Sequence, residues 1–301
     1  MTITDPLLAE GYRRAAIITR ERATTYYWGA RLLPIEQRRH VHAIYALCRI
    51  ADDIVDDEGA TQPQAVAATA ARLTRFEEDF RRARSSPHPD PVLRAAARSA
   101  AECDIDQGCF DRFFTAMRSD LTTTRYETWA DLLGYMDGSA AVIGEMMLPV
   151  LRPTDPAAAL QPARALGDAF QLTNFLRDIV EDHQRGRAYV PQEDLSRHGI
   201  DLDHYVRTRH VDDRWRAFMA EQVDRNRALY DEADPGLALL PGAAGRCVRT
   251  ARDLYAGILD RIELAGYDVL TQRVRVPTRT KVALAARRTV PRRRPPHAVA
   301  R

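Results

Sequence analysis

Two short runs of acid and amide side chains carry the chemistry open to this 301-residue sequence. The first is Tyr45-Ala-Leu-Cys-Arg49-Ile-Ala-Asp52-Asp53-Ile-Val-Asp56-Asp57-Glu58. On a helix turning about 100° per residue, Tyr45, Arg49, Asp52 and Asp56 share an arc of about 60°, with Asp53 and Asp57 to one side. Carboxylates at i and i+4 repel, and Asp is a poor mid-helix residue, so such a ladder calls for positive charge. Oxygen ligands one turn apart suit a hard divalent cation, above all Mg²⁺, which takes one or two protein carboxylates and completes its shell with water and phosphate. Standing alone, the run also reads as an acidic, solvated helix end, although Ile44, Leu47, Ile50 and Val55 frame the acids.

The second run is Gln171-Leu-Thr-Asn174-Phe-Leu-Arg177-Asp178-Ile-Val-Glu-Asp182. Gln171, Asn174, Asp178 and Asp182 share an arc of about 80° at the same helical pitch. Phe170, Leu172, Phe175, Leu176, Ile179 and Val180 surround them. A polar stripe on so apolar a helix argues for a buried polar cavity. The two ladders lie roughly 126 residues apart on separate predicted helices. Facing each other across a bundle, they would cage several Mg²⁺ ions, with Mn²⁺ the alternative, and bind an organic diphosphate. Metal coordination would neutralise the diphosphate and make it a leaving group, producing a carbocation. Apolar helix faces below would hold a greasy chain.

The elements that must position these runs are helical. Alanine-rich stretches of helical period dominate, strand-like alternation is scarce, and Gly and Pro gather between periodic segments. The pattern predicts helices over 6–23, 35–58, 62–84, 90–102, 106–120, 128–151, 156–184, 203–206, 211–233, 241–265 and 278–289. The fold class expected is all-α: one helical domain over 1–290 around a central cavity, followed by a basic, disordered tail over 291–301.

Composition agrees with a soluble globular chain, at 45% hydrophobic and 29% charged residues. Net charge is +2, but the ten basic residues from Arg273 onward face no acid, and residues 1–272 hold 34 basic against 42 acidic. The basic tail alone is weak support for nucleic-acid binding, since the body is acidic and no nucleic-acid motif is present. A solvated tail is the first reading, and a peripheral contact with anionic lipid is the second. Cysteines 48, 103, 109 and 247 form no CxxC pair, so neither a zinc site nor a disulfide scaffold is indicated. No apolar run reaches the ~18 residues of a membrane span. The first sixteen residues carry Asp5 and Glu10 and no apolar core of a signal peptide, so a cytoplasmic location, peripheral at the inner membrane face at most, is expected.

Beyond Asp182 the chain reads Arg185-Gly-Arg187-Ala-Tyr189-Val-Pro191. With the two ladders, this segment resembles the squalene and phytoene synthase family, most nearly its bacterial phytoene-forming members, over roughly residues 12–290. Leu32-Leu33-Pro34 with Arg38, Ala43-Ile44-Tyr45, Arg118-x-Asp120-Leu121, Arg125-Tyr126 and Asp131-Leu132-x-x-Tyr135 add to the likeness. Two places depart from it. Ala23-Thr-Thr-Tyr26 replaces the family's Ser-x-Ser-Phe, and Tyr135-Met-Asp-Gly-Ser-Ala-Ala-Val-Ile-Gly144 replaces its YCxxVAGTVG.

The resemblance implies a class I isoprenoid synthase bundle. It implies Mg²⁺ on Asp52, Asp56, Asp178 and Asp182, and diphosphate contacts from Tyr26, Tyr45, Arg49, Gln171, Asn174 and Arg177. Tyr135, Tyr255 and Arg273 would border the site, and Arg187 and Tyr189 would close over the metals. Tyr26, Tyr27, Trp28 and Phe170 are candidates for steadying cations. The implied reaction joins two geranylgeranyl diphosphates head to head, through a cyclopropyl diphosphate, to phytoene. It draws no NADPH and opens the route to carotenoids, whose downstream enzymes are its implied protein partners. The alternatives are a squalene or dehydrosqualene synthase using farnesyl diphosphate, or a non-catalytic relative. A chain-elongating prenyltransferase fits less well: Asp52-Asp53-x-x-Asp56 matches its first motif, but Arg177-Asp178 stands where its second doubles the Asp.

Overall fold

The computed structural model describes residues 4–23, 27, 29–57 and 62–274. Among them there is no strand, and a single bridge between Arg125 and Ala188 is the one β-type contact recorded. Helix α1 is Pro6–Arg22, α2 Ile35–Val55, α3 Pro63–Ser85, α4 Pro91–Glu102 and α5 Gln107–Ser119. Then come α6 Trp129–Met136, a π-turn Asp137–Ala141, α7 Val142–Leu151, α8 Pro156–Arg177 and α9 Ile179–Gln184. The last are α10 Gln192–His198, α11 Leu202–Thr208, α12 Asp213–Ala233, a 3₁₀ turn Asp234–Leu239 and α13 Gly242–Leu264. The predicted helix over 278–289 lies outside the described residues.

Local chemistry explains where these helices start. Asp5, Asp90, Asp155, Asp201 and Asp212 each accept from backbone N–H groups of the first turn, which satisfies donors the helix cannot pair itself. Thr128 and Asp131 form a reciprocal capping box. Pro6, Pro91 and Pro156 open helices where a missing N–H costs nothing. The sequence reading missed α10, because seven residues are too few for a period to show against the loop signals around them.

The expected helix over 128–151 is interrupted by the π-turn, and that over 156–184 breaks at Asp178. Asp178 has φ −106° and ψ 19°, and so caps one helix and opens the next. The Asp182 N–H still donates to the Asp178 carbonyl at 2.9 Å, preserving the one-turn spacing of the two acids.

Helices α2, α7, α8 and α13 surround the centre, joined by Phe113 and Met117 of α5, and α12 packs on α8. A Cβ on Gly144 would lie 2.1 Å from the Ala163 carbonyl oxygen, and one on Gly167 would lie 2.4 Å from that of Ala140. Glycine therefore lets α7 and the π-turn press backbone to backbone on α8. Gly144→Val is expected to cost about 3 kcal/mol by overpacking and to lower the melting temperature by on the order of 10 °C. A circular-dichroism melt checks this, and an unchanged midpoint would contradict the contact. No helix among the described residues is long and apolar enough to cross a membrane.

Candidate active site

A cavity of about 1010 Å³ runs along the bundle. Helix α2 offers it Val41, Ile44, Tyr45, Cys48, Arg49, Asp52 and Asp56, so one helical face passes from hydrocarbon to acid. Helix α8 runs the same way, from Ala159, Pro162 and Ala163 to Gln171, Asn174, Arg177 and Asp178, with Asp182 following on α9. The cavity consequently has a charged end, where both ladders meet, and an apolar end at the start of α2 and α8. Fourteen of the fifteen site residues expected from the sequence line it: Tyr45, Arg49, Asp52, Asp56, Tyr135, Gln171, Asn174, Arg177, Asp178, Asp182, Arg187, Tyr189, Tyr255 and Arg273. Tyr26 lies outside the described residues, as does Trp28. Tyr27 stacks on His42 at 5.9 Å and does not line the cavity, whereas Phe170 does, stacked on Tyr255 at 4.4 Å.

Arginines hold the acids. Arg49 reaches Asp52 at 2.9 Å and also pairs with Asp53. Asp53 is turned aside, as its helical angle predicts, and faces Arg22 at 3.6 Å. Arg187, itself buried, donates to Asp56 at 2.5 Å and to the Val55 carbonyl at 2.9 Å. Arg177 grips Asp178 from the adjacent position, with Nε–Oδ1 2.7 Å. Arg273 reaches the same carboxylate at 2.9 Å, and Glu181 at 3.4 Å.

Even so, burial makes two of these acids costly to ionise. Burial first, and then Asp56, push the Asp52 carboxyl up to about 7 against the pull of Arg49. Its side chain is nevertheless 38% exposed, because it faces the cavity rather than packed protein. Burial first, and then Asp178, push Asp182 up to about 8, with Arg185 opposing and Asp56 adding to the rise. The acids of the two ladders therefore feel one another across the cavity.

This donor set fits hard cations. The ligands available are carboxylate oxygens that line the cavity in two pairs, each one turn apart. No three His, Cys, Asp or Glu among the described residues are grouped closely enough to enclose an ion by themselves. Paired carboxylates one turn apart suit a cation which takes one or two of them and leaves its other positions to water and phosphate.

Asp120 was not foreseen as a site residue. It is 2% exposed and accepts from the Tyr135 hydroxyl at 2.7 Å and from the Tyr189 hydroxyl at 3.0 Å. Burial raises its carboxyl to about 6, with Arg187 opposing and the two tyrosine hydrogen bonds also lowering it. Tyr189 stacks on Phe175 at 4.1 Å and lies 5.6 Å from Tyr135, giving the site an aromatic wall. The signal for Asp120 was present in Arg118-x-Asp-Leu, but an acid just past a helix end ordinarily reads as a solvated cap.

Acid ladders above a hydrocarbon cavity, all on helices, define an isoprenoid synthase of the all-α class. The model of the squalene/phytoene synthase family matches residues 19–280, and the chain belongs to that family. A 15-cis-phytoene synthase from Synechococcus elongatus is 37% identical over 289 residues, covering 91% of each chain. A phytoene synthase from Arthrospira platensis is 34% identical over 286 residues, again 91% of each. Among solved structures, a dehydrosqualene synthase in complex with ligand superposes with a TM-score of 0.81 at 26% identity, over 94% of this chain and 96% of that one. A squalene synthase from Alicyclobacillus acidocaldarius gives 0.76 at 31% identity, over 87% and 96%.

Proposed function

We propose that this chain condenses two geranylgeranyl diphosphates head to head, through a cyclopropyl diphosphate, into phytoene, the entry reaction to carotenoids. The observation carrying this reading is the cavity itself, charged where its two ladders meet and hydrocarbon-lined beyond. Identity to the two phytoene synthases favours the twenty-carbon substrate.

Asp52, Asp56, Asp178 and Asp182 would hold Mg²⁺, with Mn²⁺ as the substitute ion. Bound there, the metal supplies charge neutralisation that turns a diphosphate into a leaving group. Arg49, Arg177, Arg187 and Arg273 already stand beside these carboxylates, so their guanidiniums can turn from acid to diphosphate without crossing the cavity. Tyr45, Gln171 and Asn174 line the same end and orient the diphosphate by hydrogen bonding. The stacked Phe170–Tyr255 pair presents aromatic faces one turn below, where a cation gains from the ring quadrupole. The apolar remainder excludes water, so the final cation loses a proton rather than gaining hydroxide. That ending draws no hydride and hence no NADPH. The basic C-terminal residues are the candidate contact with an anionic membrane surface, where so apolar a product would be received.

The test is incubation with Mg²⁺ and either the C20 or the C15 diphosphate, with and without NADPH. The expected product is a colourless C40 hydrocarbon bearing a conjugated triene, formed from C20 without NADPH. Squalene formed only from C15 with NADPH would overturn the reading.

A further inference from the structure

We infer that Ala163 of α8, supported one turn deeper by Ala159, sets the prenyl chain length that the cavity accepts. The inference rests on the function proposed above and adds the residue that selects among its substrates. The reacting end of a prenyl diphosphate is tied to the charged end of the cavity. From Asp178 the cavity face of α8 descends to Ala163 over about 22 Å and to Ala159 over about 28 Å, at 1.5 Å per residue. An isoprene unit adds four backbone bonds of about 1.5 Å, or roughly 5 Å when extended. A C15 chain then spans about 15 Å and a C20 chain about 20 Å. With about 5 Å of diphosphate above it, the C20 chain ends between the levels of Ala163 and Ala159, while the C15 chain ends above both.

Both residues line the cavity, Ala163 half-buried and Ala159 buried. Their methyl groups leave room in the cavity that larger side chains at these positions would fill. A second observation makes the position a rigid gauge. The α8 backbone cannot retreat here, because Gly144 and Gly167 already bring α7 and the π-turn against it at distances that exclude even a Cβ. Atoms added at position 163 must therefore enter the cavity, where they displace the terminal isoprene unit of C20 and leave C15 untouched.

The test compares wild type, Ala163→Phe, Ala163→Leu, Ala159→Phe and, as a control, Ala157→Phe. Residue 157 is exposed on the same helix and is not part of the cavity lining. Each protein is given Mg²⁺ with C20 or C15 diphosphate, and kcat/KM and products are measured. Affinity for the non-ionising thiodiphosphate analogues of both lengths is measured by calorimetry. In Ala163→Phe the C20-to-C15 ratio of kcat/KM should fall by about tenfold or more, the scale on which apolar pockets discriminate by length, with C15 turnover within a few-fold of wild type. The analogue affinities should shift the same way, less in Ala163→Leu and Ala159→Phe, and not in Ala157→Phe. An unchanged ratio in Ala163→Phe, or equal loss with both lengths in Ala163→Phe and Ala163→Leu, overturns the inference while wild-type C40 formation upholds the proposed function. A wild type that makes no C40 from C20 removes both.

Discussion

Asn in place of Asp182 is expected to lower kcat on the order of a thousandfold while making the metal-free protein more stable above neutral pH. The loss of activity follows from removing one of the four carboxylates proposed to hold Mg²⁺. The gain in stability follows from where that carboxylate sits. Burial first, then Asp178, lift it from an ordinary 3.8 to about 8. A carboxyl whose folded value lies above its unfolded value binds its proton more tightly in the native state. Its ionisation therefore drains stability as pH rises from about 4 through about 8. Asn carries no charge to bury and escapes that loss. In a chelator at pH 8.5 the variant should melt several degrees above wild type, each kcal/mol moving the midpoint by about 2–4 °C. The gap should close toward pH 4. Parallel melting curves across that range, or full turnover in the variant, would contradict this account of the site. An ionised carboxylate at this buried position is thus a standing cost that a cation would relieve.

Replacing Asp120 by Leu is the second large effect. Its two oxygens are the acceptors for the hydroxyls of Tyr135 and Tyr189, and its charge faces Arg187. Leu fills the space and strands two buried hydroxyls, at an expected cost of about 2–5 kcal/mol. With their common anchor gone, Tyr135 can turn and the hold of Arg187 on Asp56 is altered, so kcat should fall by at least about tenfold. Asn keeps one acceptor and should be milder in both respects. Melting temperature and steady-state kinetics of the two variants check this, and a Leu variant with the stability and turnover of wild type would refute it.

Local spacing made much of the site legible. In α2 the acids recur at i and i+4 beneath Tyr45 and Arg49, and in α8 an amide pair leads into Asp178. Helical pitch alone puts each set on one face, and both faces line the cavity. The break at Asp178 did not spoil this reading, because the Asp182–Asp178 backbone hydrogen bond spans it. The π-turn at Asp137–Ala141 was not legible; it lies where Gly167 of another helix comes against the Ala140 backbone, a contact that local spacing does not announce. Asp120 escaped for a similar reason: its partners are 15 and 69 residues away.

By itself the sequence determined that the protein is helical, that two helices carry acid ladders, and which side chains stand on each ladder. All of these depend on chemistry within one or two helical turns. Only the tertiary structure decided that the ladders face one cavity, that arginines from four segments hold their acids, and that Ala159 and Ala163 line its apolar half. Distance along the chain says nothing of such meetings. They follow from which helix faces pack together, and here glycines that let α7 touch α8 determine that packing.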